Sequence, residues 1–333
     1  MNGRLENKIK TEHAIQDKIT DMPKYMKEFY YSLGNKTHMT KMRYITNAIR
    51  FMNYMNNGEC MDLTQLSEIT DYEIQFYISQ IKYCEDKDGE IKELKETTQC
   101  NIYSCLWAFF SFLYRKEYIK SNPFDKITER PKMKENEIVY LTPEEVKQVE
   151  NNILNGTGSK VAVGRQKNWR YRDVLLFRIP VVNGLRVTAL SEINIEDIDL
   201  AARKIKVIEK GNNPRTVDFD IKTAGYIREW LKQRKELIGD SKERAFFISN
   251  QRTRLNVRSI ERIISKYSDC VEGKHITPHS LRRTCGTNSY KMTGDIHLVA
   301  SILGHKSTSP TRRYAAIENQ DRTDAINKVA YLY

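Results

Sequence analysis

Cysteine is scarce in this 333-residue chain, and none of it is arranged to hold a metal. Cys60, Cys84, Cys100, Cys105, Cys270 and Cys285 form no C-x-x-C pair and meet no histidine spacing that would build a zinc tetrahedron, so they read as reduced, mostly buried thiols. Long apolar runs are missing too: nothing approaches the ~18 apolar residues of a membrane helix. The opening MNGRLENKIKTEH has no apolar core of signal-peptide length, and the chain reads as cytoplasmic. The first 130 residues also lack an excess of either charge, with 19 basic and 19 acidic side chains. The whole net charge of +12 falls in residues 131–333, which carry 36 basic and 24 acidic groups. That part is the one suited to a polyanion, which a basic surface attracts through phosphate neutralisation and counterion release, although many basic proteins bind nothing specific.

What is present is helical periodicity. The length favours two domains over one core. Residues 1–20 form a polar arm, read as a frayed helix or a disordered segment. Apolar residues then recur at helical spacing through Met22, Tyr25, Met26, Phe29 and Leu33, through Met42, Ile45, Ile49 and Met52, and through Leu66, Ile69, Ile74, Tyr77, Ile78 and Ile81. A fourth stripe holds Ile102, Leu106, Trp107, Phe110 and Leu113. This predicts a helical domain over 21–125 with an aromatic core. SNPFDKITERPKMKENE, from Ser121 to Glu137, reads as linker for its prolines and charge, with the boundary over 126–140.

A second domain over 141–333 opens with LTPEEV. Thr142 suits a helix N-cap, Pro143 the first helical position and Glu145 the reciprocal site of a capping box. NGTGSKVAVGRQKNWRYR follows as a glycine-bearing basic loop, either touching a phosphate backbone or solvated, and then the apolar helix DVLLFRIPVVNG, bent by Pro180. IEDIDL, KIKVIEKGN and RTVDFD predict three short antiparallel strands, with KGNNP turning between the last two. The rest returns to helical spacing. The fold class is mainly α with one small antiparallel sheet.

Five small features run through this second domain. NGLRV sets Arg186 after a glycine turn at a helix start, where free N–H groups favour an anion. Lys210 sits at the KGNNP tip, where a flexible cation can reach a bound phosphate. PHSLRRT puts His279 and Arg282 on one helical face. LGHKSTSPTRRY places His305 after a glycine and Tyr314 nine residues later. Each alone is weak, since hairpin lysines are usually solvated and a helix-start histidine is usually a cap.

Taken in order, GLR, EKGN, PHSLRRT and LGHKSTSPTRRY resemble the tyrosine site-specific recombinases of the phage-integrase family, in their two-domain Xer-like form. The resemblance covers the chain from about Leu141 onward, and the helical part matches the family's core-binding domain in layout more than in motif. It implies a catalytic domain over 141–333 in which Arg186 and Arg282 clamp the phosphate oxygens, His305 supports the phosphate, and Tyr314 attacks to form a 3′-phosphotyrosyl link. A phenol of ordinary pKa ~10 needs help to ionise, and His279 is placed to take its proton. Lys210 protonates the leaving 5′-oxygen. No metal or other cofactor is required, because the arginines supply the charge. The implied partners are double-stranded DNA with inverted half-sites, accessory DNA-bending or activating proteins, and further copies of the chain. These copies form a dimer on one site and a tetramer in synapsis through a C-terminal helix from about Asp321. The implied location is the cytoplasm, with the nucleoid.

Two positions depart from the family pattern. Ala189 stands three residues after Arg186, where an acid is common, and Glu192 is a poor substitute for it on a helix. Arg283 stands where a second histidine is frequent. For DNA contact, QRTRLNVRSIER offers Arg252, Arg254 and Arg258, with the solvated-face reading as its rival, and the helical domain offers Lys41 and Arg43. The competing functions are a type IB topoisomerase with the same chemistry and a non-catalytic DNA-binding regulator on the same fold.

Overall fold

The apolar stripe from Leu66 to Ile81 is cut by local chemistry. Ile69 is extended, and Thr70 then caps a new helix, with its backbone N–H donating to the Glu73 carboxylate at 2.9 Å in a capping box. Two helices therefore replace the expected one. T-D-Y-E carries that signal in the sequence.

The structure is a computed structural model that describes residue 17 and residues 19–85, 91–131, 139–209, 213–239, 241–305 and 307–315. The chain divides into two compact units between Asn136 and Glu137. The first contains α1 (Lys24–Ser32), α2 (His38–Met55), α3 (Leu63–Glu68), α4 (Asp71–Gln80) and α5 (Glu96–Arg115). It also holds a hairpin, β1 (Tyr83–Glu85) against β2 (Ile91–Glu93), which apolar periodicity does not reveal. Phe29, Phe51, Phe109 and Phe110 are fully buried in its aromatic core. Trp107, expected in that core, is 45% exposed. The stretch read as linker begins inside this unit: Pro123–Lys126 forms a 3-10 turn that buries Phe124, whose ring centroid lies 5.1 Å from that of Tyr103.

The second unit starts as expected, with α6 (Pro143–Asn155) opened by the Thr142 and Glu145 capping box. The glycine-bearing loop contains a helix, α7 (Lys160–Gln166), capped by Ser159. Arg172 is neither solvated nor available to a backbone. It is buried at 5% exposure, its Nε and Nη2 donate to Asp173 at 2.9 and 2.8 Å, and its guanidinium lies 4.2 Å from the Trp169 ring centroid. The helices α8 (Arg170–Asn183), which carries Pro180, and α9 (Val187–Ser191) follow. The sheet is a meander of β3 (Ile198–Asp199), β4 (Lys204–Glu209) and β5 (Asn213–Asp218), antiparallel throughout. Then come α10 (Ile221–Ile238), α11 (Val257–Ser265), α12 (Pro278–Thr293), α13 (Ile296–Leu303) and α14 (Arg312–Ala315). One core joins α8, α10 and the sheet through Leu175, Ile179, Ile205, Ile227 and Trp230. Among the described residues, no helix is long and apolar enough to cross a membrane. Most of the polar arm, Lys210 and the tail over 321–333 lie outside the described residues.

Candidate active site

Glycine decides how close the site's elements come. Gly184 ends α8 at φ +61°, a left-handed conformation that suits glycine, and a side chain there would run into Leu303. The chain then turns through buried Leu185 to Arg186, the residue just before α9. The Gly184 carbonyl accepts a hydrogen bond from Arg282 Nη1, and the Leu303 carbonyl accepts one from Arg282 Nη2 at 2.7 Å. One guanidinium thus ties α12 to the ends of α8 and α13. Arg282 is only 5% exposed. Burial, then the nearby positive charge of Arg186 and more weakly Arg215, push it down to about 10, while Glu209 and Tyr314 pull the other way. It remains a cation near neutral pH.

Tyr314 lies in the same field. It is buried in a small cluster with Cys285, Val299 and Leu303, and its ring rests on Gly286 of α12, where a β-carbon would come 2.7 Å from Cζ. We expect Gly286→Ala to push the ring aside and to destabilise the fold by about 1–3 kcal/mol, the scale of overpacking a filled space. Thermal melting curves check this.

His305 follows Gly304, which ends α13 at φ +62°. Its Nδ1 lies 2.8 Å from the buried Thr311 hydroxyl, which fixes the ring. His279 is exposed on the first turn of α12, one turn before Arg282. Arg186, Arg282 and Tyr314 are thus brought together, and His305 is anchored on the turn just beyond Leu303. Among the described residues, no group of three or more His, Cys, Asp or Glu is placed to hold a metal ion.

Four residues were missed by sequence reasoning. Gly286 and Thr311 have no local signal, because what they touch is decided by packing. Glu209 and Arg215 had one. The exposed–buried alternation along β4 puts Glu209 in phase with buried Ile205 and Val207, so an acid was heading inward. Glu209 pairs with Arg186 Nη1, and its Oε1 is 3.5 Å from Arg215 Nη1. Arg215 in turn donates to the Ile302 carbonyl. A β-carbon on Gly304 would stand 2.6 Å from Arg215 Nη1, so the Gly-His step needs its glycine for space as well as conformation.

The residues expected to touch DNA part company. Arg252 and Arg258 are exposed, one in a turn and one on the first turn of α11. Arg254 is committed elsewhere: its guanidinium donates to the Ser191 carbonyl at 2.8 Å, the Ile193 carbonyl at 3.4 Å and the Asn194 side chain. In the first unit, Lys41 Nζ stands 4.9 Å from the Tyr30 ring centroid, and Arg43 is exposed.

Residues 139–321 match the family model described as the phage integrase family. A tyrosine recombinase XerC of Caldanaerobacter subterraneus subsp. tengcongensis is 32% identical over 67% of this chain, and the match spans 60% of that relative's length. A tyrosine recombinase XerC of Natranaerobius thermophilus is 28% identical over 90% of this chain and 95% of its own. Among solved structures, the XerH site-specific recombinase bound to palindromic difH substrate in a post-cleavage complex aligns with a TM-score of 0.66. It is 20% identical and covers 88% of this chain and 80% of the other, a likeness of fold. The family match covers more than half of the chain and contains the arginine cluster, His305 and Tyr314, so the chain belongs to the phage integrase family.

Proposed function

We propose that this protein is a site-specific DNA recombinase that cuts and rejoins DNA strands through a 3′-phosphotyrosyl intermediate at Tyr314. The observation that carries the reading is the buried Arg282 guanidinium, held in the same field as Arg186 and the Tyr314 phenol. A phosphodiester gains negative charge on its non-bridging oxygens during in-line attack, and two fixed guanidiniums meet that charge without reorganising. The Tyr314 oxygen bonds to phosphorus, the bond to the 5′-oxygen breaks, and the proton of the phenol passes to His279. Lys210 returns a proton to the departing 5′-oxygen, and His305 supports the phosphate. Attack by a 5′-hydroxyl on the phosphotyrosyl link reverses these steps, so the bond energy is kept. The chain acts as a dimer on each site of inverted half-sites and as a tetramer across two.

A suicide duplex nicked beside the cleavage point tests this. It should leave a gel-stable covalent complex, and two differently labelled duplexes should exchange strands. Binding without a covalent complex leaves the regulator, and covalent complex without exchange leaves the topoisomerase.

DNA affinity gives a further expectation. Neutralising Arg252 and Arg258 together should reduce the slope of log K against log salt by about 2, near one unit for each phosphate that is no longer neutralised. Arg254→Ala should leave that slope unchanged and lower thermal stability, because it strips the donors from the acceptors at Ser191, Ile193 and Asn194. Affinities measured across a salt series, with melting curves, check both.

A further inference from the structure

Glu209 is 8% exposed and lies at the end of β4 between two arginines. One oxygen pairs with Arg186 Nη1, while Oε1, buried and with no hydrogen-bond partner, faces Arg215 Nη1 at 3.5 Å. Arg282 feels the charge of all three. Without the carboxylate, three guanidiniums would crowd one half-buried space, and like charges there repel strongly because water screens them poorly. Arg186 sits at the start of a short turn of helix, its side chain 35% exposed and tied to Glu209 through Nη1. The residue one helical turn on, Ala189, is buried and has no charge to offer. Arg215 is itself held by the Ile302 carbonyl and lies close against Gly304, so it stays in place beside the carboxylate.

We propose that Glu209 is a positioning residue for strand cleavage: it orients Arg186 toward the phosphate. The proposal rests on the strand-transfer reading of Arg186. Glu209 touches no reacting atom. It acts through Arg186, so its loss should be felt only while Arg186 is present and only when the phosphate oxygens are charged.

Single-turnover cleavage of the nicked duplex tests this with Glu209→Ala, Glu209→Gln, Arg186→Ala and the double variant Arg186→Ala with Glu209→Ala. Melting curves and DNA affinity are measured alongside, and Glu209→Gln, nearly isosteric, covers the case in which the alanine variant folds poorly. Glu209→Ala should cleave about 10²-fold more slowly with near-normal DNA affinity, and Glu209→Gln should fall between it and the parent. In the Arg186→Ala background, removing Glu209 should add less than about twofold, as expected for residues acting as one unit. A methylphosphonate at the cleavage point, which removes the charge that Arg186 meets, should narrow the gap between parent and Glu209→Ala and likewise that between parent and Arg186→Ala. Parent-like rates in both Glu209 variants overturn the proposal, as do losses that multiply with Arg186→Ala or a gap unchanged on methylphosphonate. Faster cleavage would make Glu209 a restraint on Arg186 and overturn it equally. If the parent itself forms no covalent complex, the strand-transfer reading fails and this proposal falls with it.

Discussion

Arg282→Ala should lose about 10²-fold or more in strand cleavage, the scale seen when a preorganised charge donor is removed. The loss has two origins that can be separated. The guanidinium holds the carbonyls of Gly184 and Leu303, so removing it leaves two buried acceptors without their donors and loosens the meeting point of α8, α12 and α13. It also removes charge from beside Tyr314. Arg282→Lys divides these effects, because an ammonium keeps the charge but cannot reach both carbonyls and a phosphate from one planar fork. The lysine variant should therefore bind DNA near normally and still cleave at least about tenfold more slowly. Single-turnover rates with melting temperatures check this, and a lysine variant at parental speed would reduce Arg282 to a point charge.

Tyr314→Phe should abolish covalent complex formation altogether while leaving DNA binding intact. The substitution deletes only the phenolic oxygen. The ring stays packed on Gly286 and among Cys285, Val299 and Leu303, so the fold has no reason to change. A gel-stable adduct in this variant would move the nucleophile to another residue.

Much of this site was legible in the sequence because it is written in local chemistry. Gly184 before Arg186, the Pro278 helix start before His279 and Arg282, and Gly304 before His305 are each short motifs whose backbone demands can be read directly. The three-strand meander and the Thr142 cap were legible for the same reason. What was not legible depends on packing between distant segments. Gly286 matters only because Tyr314, 28 residues on, lies against it. Arg172 reads as one more cation in a basic loop until the fold brings Trp169 and Asp173 around it. Arg254 looks like a DNA-facing cation until the carbonyls of Ser191 and Ile193 turn toward it. Ala189 offers Arg186 no carboxylate on its own helix, and the partner comes from a strand 23 residues away. The Ile69 break was visible as a capping box, but the longer apolar stripe overrode it.

The most direct measurement is to digest the trapped protein–DNA complex with nuclease and trypsin and find the modified peptide by mass spectrometry. Cleavage after Arg313 and Arg322 releases Tyr314 in a short peptide of its own. The account predicts that this peptide alone carries a nucleotide joined through phosphate to the phenolic oxygen of Tyr314. A nucleotide on any other residue, or cut DNA with no adduct on the protein, would contradict it.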